Sequence, residues 1–386
     1  MPFVDLKENL RLLEAQGLLR GRRILESAQG AHVTVDGQAY LAFCSNDYLG
    51  LAAHPALVDA ACRGAAQYGV GAGASHLIIG HAAAHHQLET ELAQFLQQDA
   101  ALLFSTGYMA NLGIVSALMG RNDLVLADKL NHASLNDAAL LSRSRLVRYN
   151  HLDLEHLERL LATASERKKL VVTDAVFSMD GDIAPLPELI ALCERYDAYL
   201  LLDDAHGFGV LGERGRGILD HFGVDSPRLI YMATLGKAAG VFGAFVAGNA
   251  SLIQTLVQGA RTYIYTTAVP PLLAVALRVS LRLFREEAWR REHLRELVAD
   301  LKHYLRTERW QLLPSETPIQ PLLVGGNKEA VALSDALRSR GILVPAIRPP
   351  TVPKGQARLR ISLSAAHSKD DVRKLAETLN VLAAER

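Results

Sequence analysis

Between Ala101 and Ala247 the chain repeats one pattern: a short continuous apolar run, a polar turn, then a stretch with helical spacing. The apolar runs are Ala101–Phe104, Asp123–Ala127, Leu146–Tyr149, Leu170–Val176, Tyr199–Asp203, Leu229–Ala233 and Ala244–Ala247, with a helical pattern between several of them, as over Pro185–Tyr196. A strand without polar alternation is buried on both faces, and strands separated by helices return by crossovers. The pattern predicts an α/β fold: a large domain with a mostly parallel, seven-stranded sheet covered on both sides. In such sheets ligands bind beyond the carboxyl ends of the strands, so chemistry is expected in the residues that follow each run.

The flanks read differently. An amphipathic helix is expected from about Asp5 to Leu19, followed by Arg20-Gly21-Arg22-Arg23, which suits either a helix C-terminus or an anion contact. His32 to Phe43 alternates around Asp36-Gly37, a hairpin signal. Past Pro270-Pro271 a long amphipathic stretch gives way to shorter strands and helices, which reads as a smaller α+β domain. The expected organisation is an N-terminal arm over residues 1–45, a large domain over 46–275 and a small C-terminal domain over 276–386. A formal net charge of +0, with neither basic tail nor acidic block, argues against nucleic-acid or membrane-surface partners. No apolar run approaches the ~20 residues of a membrane span, and no signal-peptide pattern opens the chain. The three scattered cysteines, Cys44, Cys62 and Cys193, suit a reducing compartment, so a cytoplasmic location is expected.

Four strand ends carry reactive groups. After Leu229–Ala233 comes Thr234-Leu235-Gly236-Lys237, a lysine set between two buried runs, where burial would make its amine nucleophilic. Asp203-Asp204-Ala205-His206 crowds two acids and an imidazole at another strand end; one acid can face inward, where an unpaired charge is costly. Ser105-Thr106-Gly107-Tyr108 reads as a plain strand-to-helix loop or as a phosphate-binding helix N-terminus. His132 follows Asp123–Ala127 as a loop histidine or as a plate stacked on a cofactor ring. An acid, an imidazole, an amine and a phosphate loop on one rim describe a pyridoxal phosphate site. Two other nucleotide signatures fail: Gly69 to Ala74 lacks the spacing of a dinucleotide fingerprint, and Lys237 lacks the leading glycine at P-loop spacing and is followed by alanine instead of a hydroxyl residue. His81 and His85 stand four apart without the glutamate of a zinc-protease helix, so no metal site is expected.

The ordered set NDYLG (46–50), STGYMAN (105–111), NHAS (131–134), VFSMDGD (176–182), DDAHGFGVLG (203–212), TLGK (234–237) and IRPPTVP (347–353) resembles the α-oxoamine synthases, pyridoxal-phosphate enzymes of the aspartate-aminotransferase fold type. The resemblance runs from about Arg20 to the C-terminus. It implies Lys237 as the Schiff-base lysine that also moves the substrate's α-proton, Asp203 as partner of the pyridine nitrogen, His206 on the ring hydroxyl and His132 stacked on the ring. Gly107, Tyr108, Ser178 and Thr234 would bind the cofactor or its phosphate. Thr266 and Thr267 would reach the phosphate of a neighbouring subunit, which implies a homodimer with shared sites. Asn46, His132, Thr351 and Arg20 match substrate-contacting positions, with Arg22 as the alternative to Arg20. Arg360 would clamp the amino-acid carboxylate, with Arg358 as second choice. IRPPTVP followed by ARLR (357–360) most resembles the members that condense L-alanine with a pimeloyl thioester, carried by acyl carrier protein or coenzyme A, in biotin biosynthesis. Glycine-using members are the alternative. Ala72, Ala74 and Ala175 replace glycines common in the family, which touches loop-level substrate contacts.

Overall fold

The computed structural model describes residues 6–16, 18, 19 and 21–385. The chain divides into two compact units, residues 46–294 and residues 1–45 together with 295–386.

In the larger unit the seven apolar runs form β1 (Ala100–Phe104), β2 (Leu124–Asp128), β3 (Arg145–Tyr149), β4 (Lys169–Asp174), β5 (Tyr199–Asp203), β6 (Leu229–Thr234) and β7 (Ala244–Gly248). They make one sheet in the order β1-β7-β6-β5-β4-β2-β3. β3, β2, β4, β5 and β6 run parallel, while β7 is antiparallel to both β6 and β1. β2 and β7 are buried at every residue, as unbroken apolar runs require. The edge strand β3 is not: Arg145 and Arg148 stand exposed, charges that keep an unpaired edge from recruiting another strand. β4 stops at Asp174, short of the expected Val176, because the chain turns there. Ala175 donates its N–H to Asp203 O (2.8 Å) and Val176 makes only an isolated bridge to Ile183.

Helices Gly107–Leu118, Ala133–Ser142 and Ala250–Gly259 pack on one face of this sheet around Ile114, Val115, Ala138, Leu256, Val172 and Val246. Helix Pro271–Glu286 belongs to the same unit, which runs on to Leu294. It lies so close to helix Pro55–Tyr68 that a Cβ on Gly64 would sit 2.8 Å from the Leu272 Cα. Glycine at position 64 permits that approach.

In the smaller unit His32–Val35 and Gln38–Ala42 pair as the expected hairpin. Its two-residue turn, Asp36-Gly37, has φ of 49° and 75°, the left-handed pair that the strand twist favours. The unit also holds a four-stranded antiparallel sheet in the order Gln311–Leu312, Ile319–Gly325, Ala357–Ser362, Ala346–Ile347. Arg358 and Arg360, two residues apart on its third strand, are both buried. Helix Leu6–Ala15 buries none of its residues. No helix among the described residues is long and apolar enough to cross a membrane.

Candidate active site

β2, β4, β5 and β6 end on Asp128, Asp174, Asp203 and Thr234, so three carboxylates and a hydroxyl line one rim of the sheet. In register, Asp174 lies beside Asp203 and Asp203 beside Met232. Lys237 follows β6 on a loop pinned at its base. Leu235 N–H and Thr234 Oγ1 both donate to Gly243 O, at 2.8 and 3.0 Å, where β7 begins.

The half-buried Lys237 amine lies 2.9 Å from His206 Nε2. The other nitrogen of that ring, Nδ1, is 2.6 Å from Tyr48 Oη, and Tyr48 Oη donates to Asn46 Oδ1 at 3.2 Å. One proton arrangement satisfies the whole line. The ammonium of Lys237 donates to Nε2, His206 carries its proton on Nδ1 and donates to Tyr48, and the phenol donates onward. His206 and Tyr48 are both buried, which fixes the direction in which the lysine amine points.

A second line starts at Asp203, 4% exposed. Its Oδ2 accepts from Asn111 Nδ2 at 2.8 Å and its Oδ1 from the Ala205 N–H at 3.1 Å. Asn111 Nδ2 also donates to Ser134 Oγ (2.9 Å), which lies 2.7 Å from His132 Nδ1. His132 Nδ1 additionally accepts the Ser134 N–H at 3.3 Å, so the ring keeps its proton on Nε2. Burial lowers the pKa of His132, against the opposing pull of Asp203, and leaves an uncharged imidazole. The His132 backbone N–H donates to Asp174 Oδ2 at 2.7 Å. Burial first, and then the charge of Asp203, push Asp174 well above the usual carboxylate range. Strand alternation sends Asp204 the other way. Its Oδ2 accepts from the Ile218 N–H (2.8 Å) and Tyr231 OH (2.7 Å), and burial raises its pKa to about 7. Asp204 therefore holds the fold, and Asp203 faces the rim.

Thr106 caps helix Gly107–Leu118 by accepting the Met109 N–H at 3.1 Å. Gly107 lies beside β6, since a Cβ there would meet Met232 and Thr234 at 3.8 and 3.9 Å. Tyr108 is exposed, hydrogen-bonded to Asp137, and set edge-on to His132 with ring centres 6.5 Å apart.

The larger unit thus joins Lys237, His206 and Asn46 in one hydrogen-bonded line and Asp203 and His132 in a second, with Tyr108 edge-on to His132 and Gly107 beside Thr234. Ser178 lies in a turn closed by the Gly181 N–H on Phe177 O. Thr266 is half-buried and Thr267 exposed on the segment before Ala268, whose N–H donates to Ala74 O at 3.0 Å. Thr351 is exposed and Arg360 buried in the smaller unit, where Arg360 Nη1 donates to Ser362 Oγ at 2.7 Å. Arg20 lies outside the described residues, and Arg22 is exposed. Four participants escaped the residue-level reading: Tyr48, Asn111, Ser134 and Asp174. The first three sit inside the quoted motifs, which was the available signal.

A buried carboxylate whose two oxygens accept from an amide and a backbone N–H, set at the rim that carries Lys237, is placed to receive a cationic group of a ligand. Around it stand an amine, a neutral imidazole and a helix N-terminus suited to phosphate. That donor set fits pyridoxal phosphate.

Residues 38–379 match the family described as aminotransferase class I and II. The 8-amino-7-oxononanoate synthase of Nitrosospira multiformis is 65% identical over 374 residues, which cover 97% of this chain and 94% of the relative. Among solved structures, a serine palmitoyltransferase of S. paucimobilis with bound PLP aligns with a TM-score of 0.91 at 28% identity, covering 99% of this chain and 97% of its own. The 8-amino-7-oxononanoate synthase of Francisella tularensis aligns with a TM-score of 0.78 at 32% identity, over 90% of this chain and 97% of its own.

Proposed function

This chain belongs to the aminotransferase class I and II family, and we propose that it catalyses the 8-amino-7-oxononanoate synthase reaction of biotin biosynthesis. L-Alanine is condensed with a pimeloyl thioester, carbon dioxide is lost, and the carrier thiol leaves. The observation that carries the reading is the full-length 65% identity to a synthase of that name. The rim geometry supports the same chemistry.

Bound pyridoxal phosphate supplies an electron sink for the negative charge that develops at the α-carbon of the amino acid. Within the chain, Asp203 would pair with the protonated ring nitrogen, held in place by Asn111 and Ala205 N–H. His132, uncharged and edge-on to Tyr108, would stack on the ring. Thr234, Gly107, Tyr108 and Ser178 would bind the cofactor or its phosphate, assisted by the helix N-terminus behind Thr106. The Lys237 amine, once free, takes the α-proton at Nζ and later returns it. His206 and Tyr48 aim that amine and give it a hydrogen-bonded line for its charge. In this reading Asn46, Thr351 and Arg20 (or Arg22) contact substrate, and Arg360 (or Arg358) binds the amino-acid carboxylate, where a charge-assisted pair contributes about 1.5–3 kcal/mol.

A homodimer with shared sites belongs to the same proposal. Leu77, Ile78 and Ile79 are 48%, 73% and 83% exposed on a turn tied through Ala74 to the segment that carries Thr266 and Thr267. An apolar patch of this kind marks a protein–protein surface.

The test is product identification from L-alanine with pimeloyl thioester, on carrier protein and on coenzyme A, against glycine as competitor. 8-Amino-7-oxononanoate with release of carbon dioxide is expected. A clear preference for glycine would overturn the substrate assignment, and α-keto acid as the main product would make the enzyme an aminotransferase.

A further inference from the structure

Away from the Lys237 rim, three histidines converge where helical spacing alone would not have put them. His76 opens a short wide turn, His76–Gly80; His81 follows it; His85 lies in the first turn of helix Ala83–Leu96. One ring nitrogen of each lies within 4.8 Å of the others. His76 and His85 are buried and His81 is half-buried.

Two of the three outer nitrogens already face the oxygen support that metal-binding imidazoles use. His85 donates Nε2–H to Val269 O at 2.7 Å, which leaves Nδ1 as its lone-pair nitrogen. His81 turns Nε2 toward Glu89 Oε2 at 3.7 Å, and Glu89 is itself fixed to β1 by the Leu103 N–H at 2.9 Å. A carboxylate or carbonyl behind each ligand is the usual support of a metal-bound histidine. His76 is fixed by stacking on Tyr263, with centroids 4.9 Å apart and planes within 13°. The Nδ1 atoms of His76 and His81 are 3.0 Å apart, close to the roughly 3.3 Å between nitrogens around a tetrahedral zinc ion. Burial, then neighbouring imidazoles, lower the pKa of His76 to about 3, and His81 and His85 are lowered as well, so all three rings are uncharged at neutral pH.

We propose that His76, His81 and His85 form a binding site for a divalent cation of the zinc class, with water as fourth ligand and Glu89 orienting His81. Imidazole-only sites take zinc, cobalt, nickel or copper in preference to magnesium or calcium. No net proton leaves the three rings. Of the two facing Nδ1 atoms, the one that donates to the other moves its hydrogen to Nε2, and both lone pairs turn to the cation. The Ala82 N–H, now 3.0 Å from His85 Nδ1, gives up that bond to the metal. The cation would staple the apolar 76–80 turn and the Tyr263–Val269 segment to helix Ala83–Leu96.

Tag-free holoenzyme, stripped with chelator and re-equilibrated with Co2+ or Zn2+, tests this by metal content per chain after gel filtration and by cobalt difference spectra against the unloaded holoenzyme. One metal per chain, with a tetrahedral cobalt spectrum displaced by zinc, is expected. His76→Asn and His81→Gln should lose it, Glu89→Gln should weaken it roughly 10–100-fold, and His86→Gln should leave it unchanged. Failure of the wild-type holoenzyme to retain stoichiometric metal overturns the site whatever the variants do. Wild-type affinity in His76→Asn, or loss of metal in His86→Gln alone, overturns this ligand set.

Discussion

Tyr48 and His206 meet across 158 residues of sequence, and Asn111 and Asp203 across 92. That distance explains which parts of the site were legible. Lys237 and Asp203 announce themselves locally, as charges ending apolar strands, and the motif set assigns their roles. A tyrosine in a polar turn or an asparagine in a helix carries no such mark, because its partner exists only after the sheet has formed. Asp174 was hidden in a run that reads as uninterrupted strand. The roles can be separated by mutation. Lys237→Ala should lower kcat by about 10²–10⁴-fold or more, with circular dichroism unchanged, since it removes the group proposed to move the proton. Tyr48→Phe removes the acceptor of the buried His206 Nδ1–H. Loss of one partner of a buried donor costs about 1–3 kcal/mol, so kcat/KM should fall about 5- to 160-fold, with cofactor still bound.

At the scale of elements, a half-buried histidine ties two of the loops beyond the strands together through ion pairs. His151 Nδ1 lies 3.0 Å from Asp128 at the end of β2, and its Nε2 lies 2.5 Å from Asp182, which closes the turn that carries Ser178. Burial works against the charge on this ring, but the bonds to Asp128 and then Asp182 outweigh it and raise the pKa to about 10. Because the folded value lies above the unfolded value near 6.5, this stabilisation is complete below about pH 6.5 and is lost as pH rises through 10. Urea unfolding from about pH 6 to about pH 10 should show that loss, and His151→Gln should remove the slope over the same interval. The helices give a second prediction. Gly64→Val forces two methyl groups against the Leu272 backbone, where a Cβ alone would sit at 2.8 Å, and should cost about 1–3 kcal/mol in urea unfolding. The strands themselves were readable because burial on both faces leaves an unbroken apolar run. The Gly64 contact was not, since it joins helices Pro55–Tyr68 and Pro271–Glu286, which lie far apart in the chain.

For the whole molecule, the exposed Leu77–Ile79 turn makes assembly the property to measure. Sedimentation equilibrium should give a dimer for the wild type, and Ile79→Lys should shift it toward monomer, because a charge placed at an interface core is not hydrated when the surface closes. If Thr266 and Thr267 serve a neighbouring site, the same variant should also bind pyridoxal phosphate more weakly. The boundary of the larger unit at Leu294 came from packing between distant helices, whereas the hairpin in the smaller unit was spelled out by Asp36-Gly37. The loop that bears Lys237 is clamped at Gly243, between a strand parallel to its other neighbour and one antiparallel to both of its own. Spacing errors are therefore tolerated unequally on the two sides of the clamp. An extra residue beside Phe242, 46% exposed, can bulge outward while both strands keep their pairing. The same insertion inside β6 would turn every following side chain of that strand to the opposite face and carry Lys237 out of reach of His206.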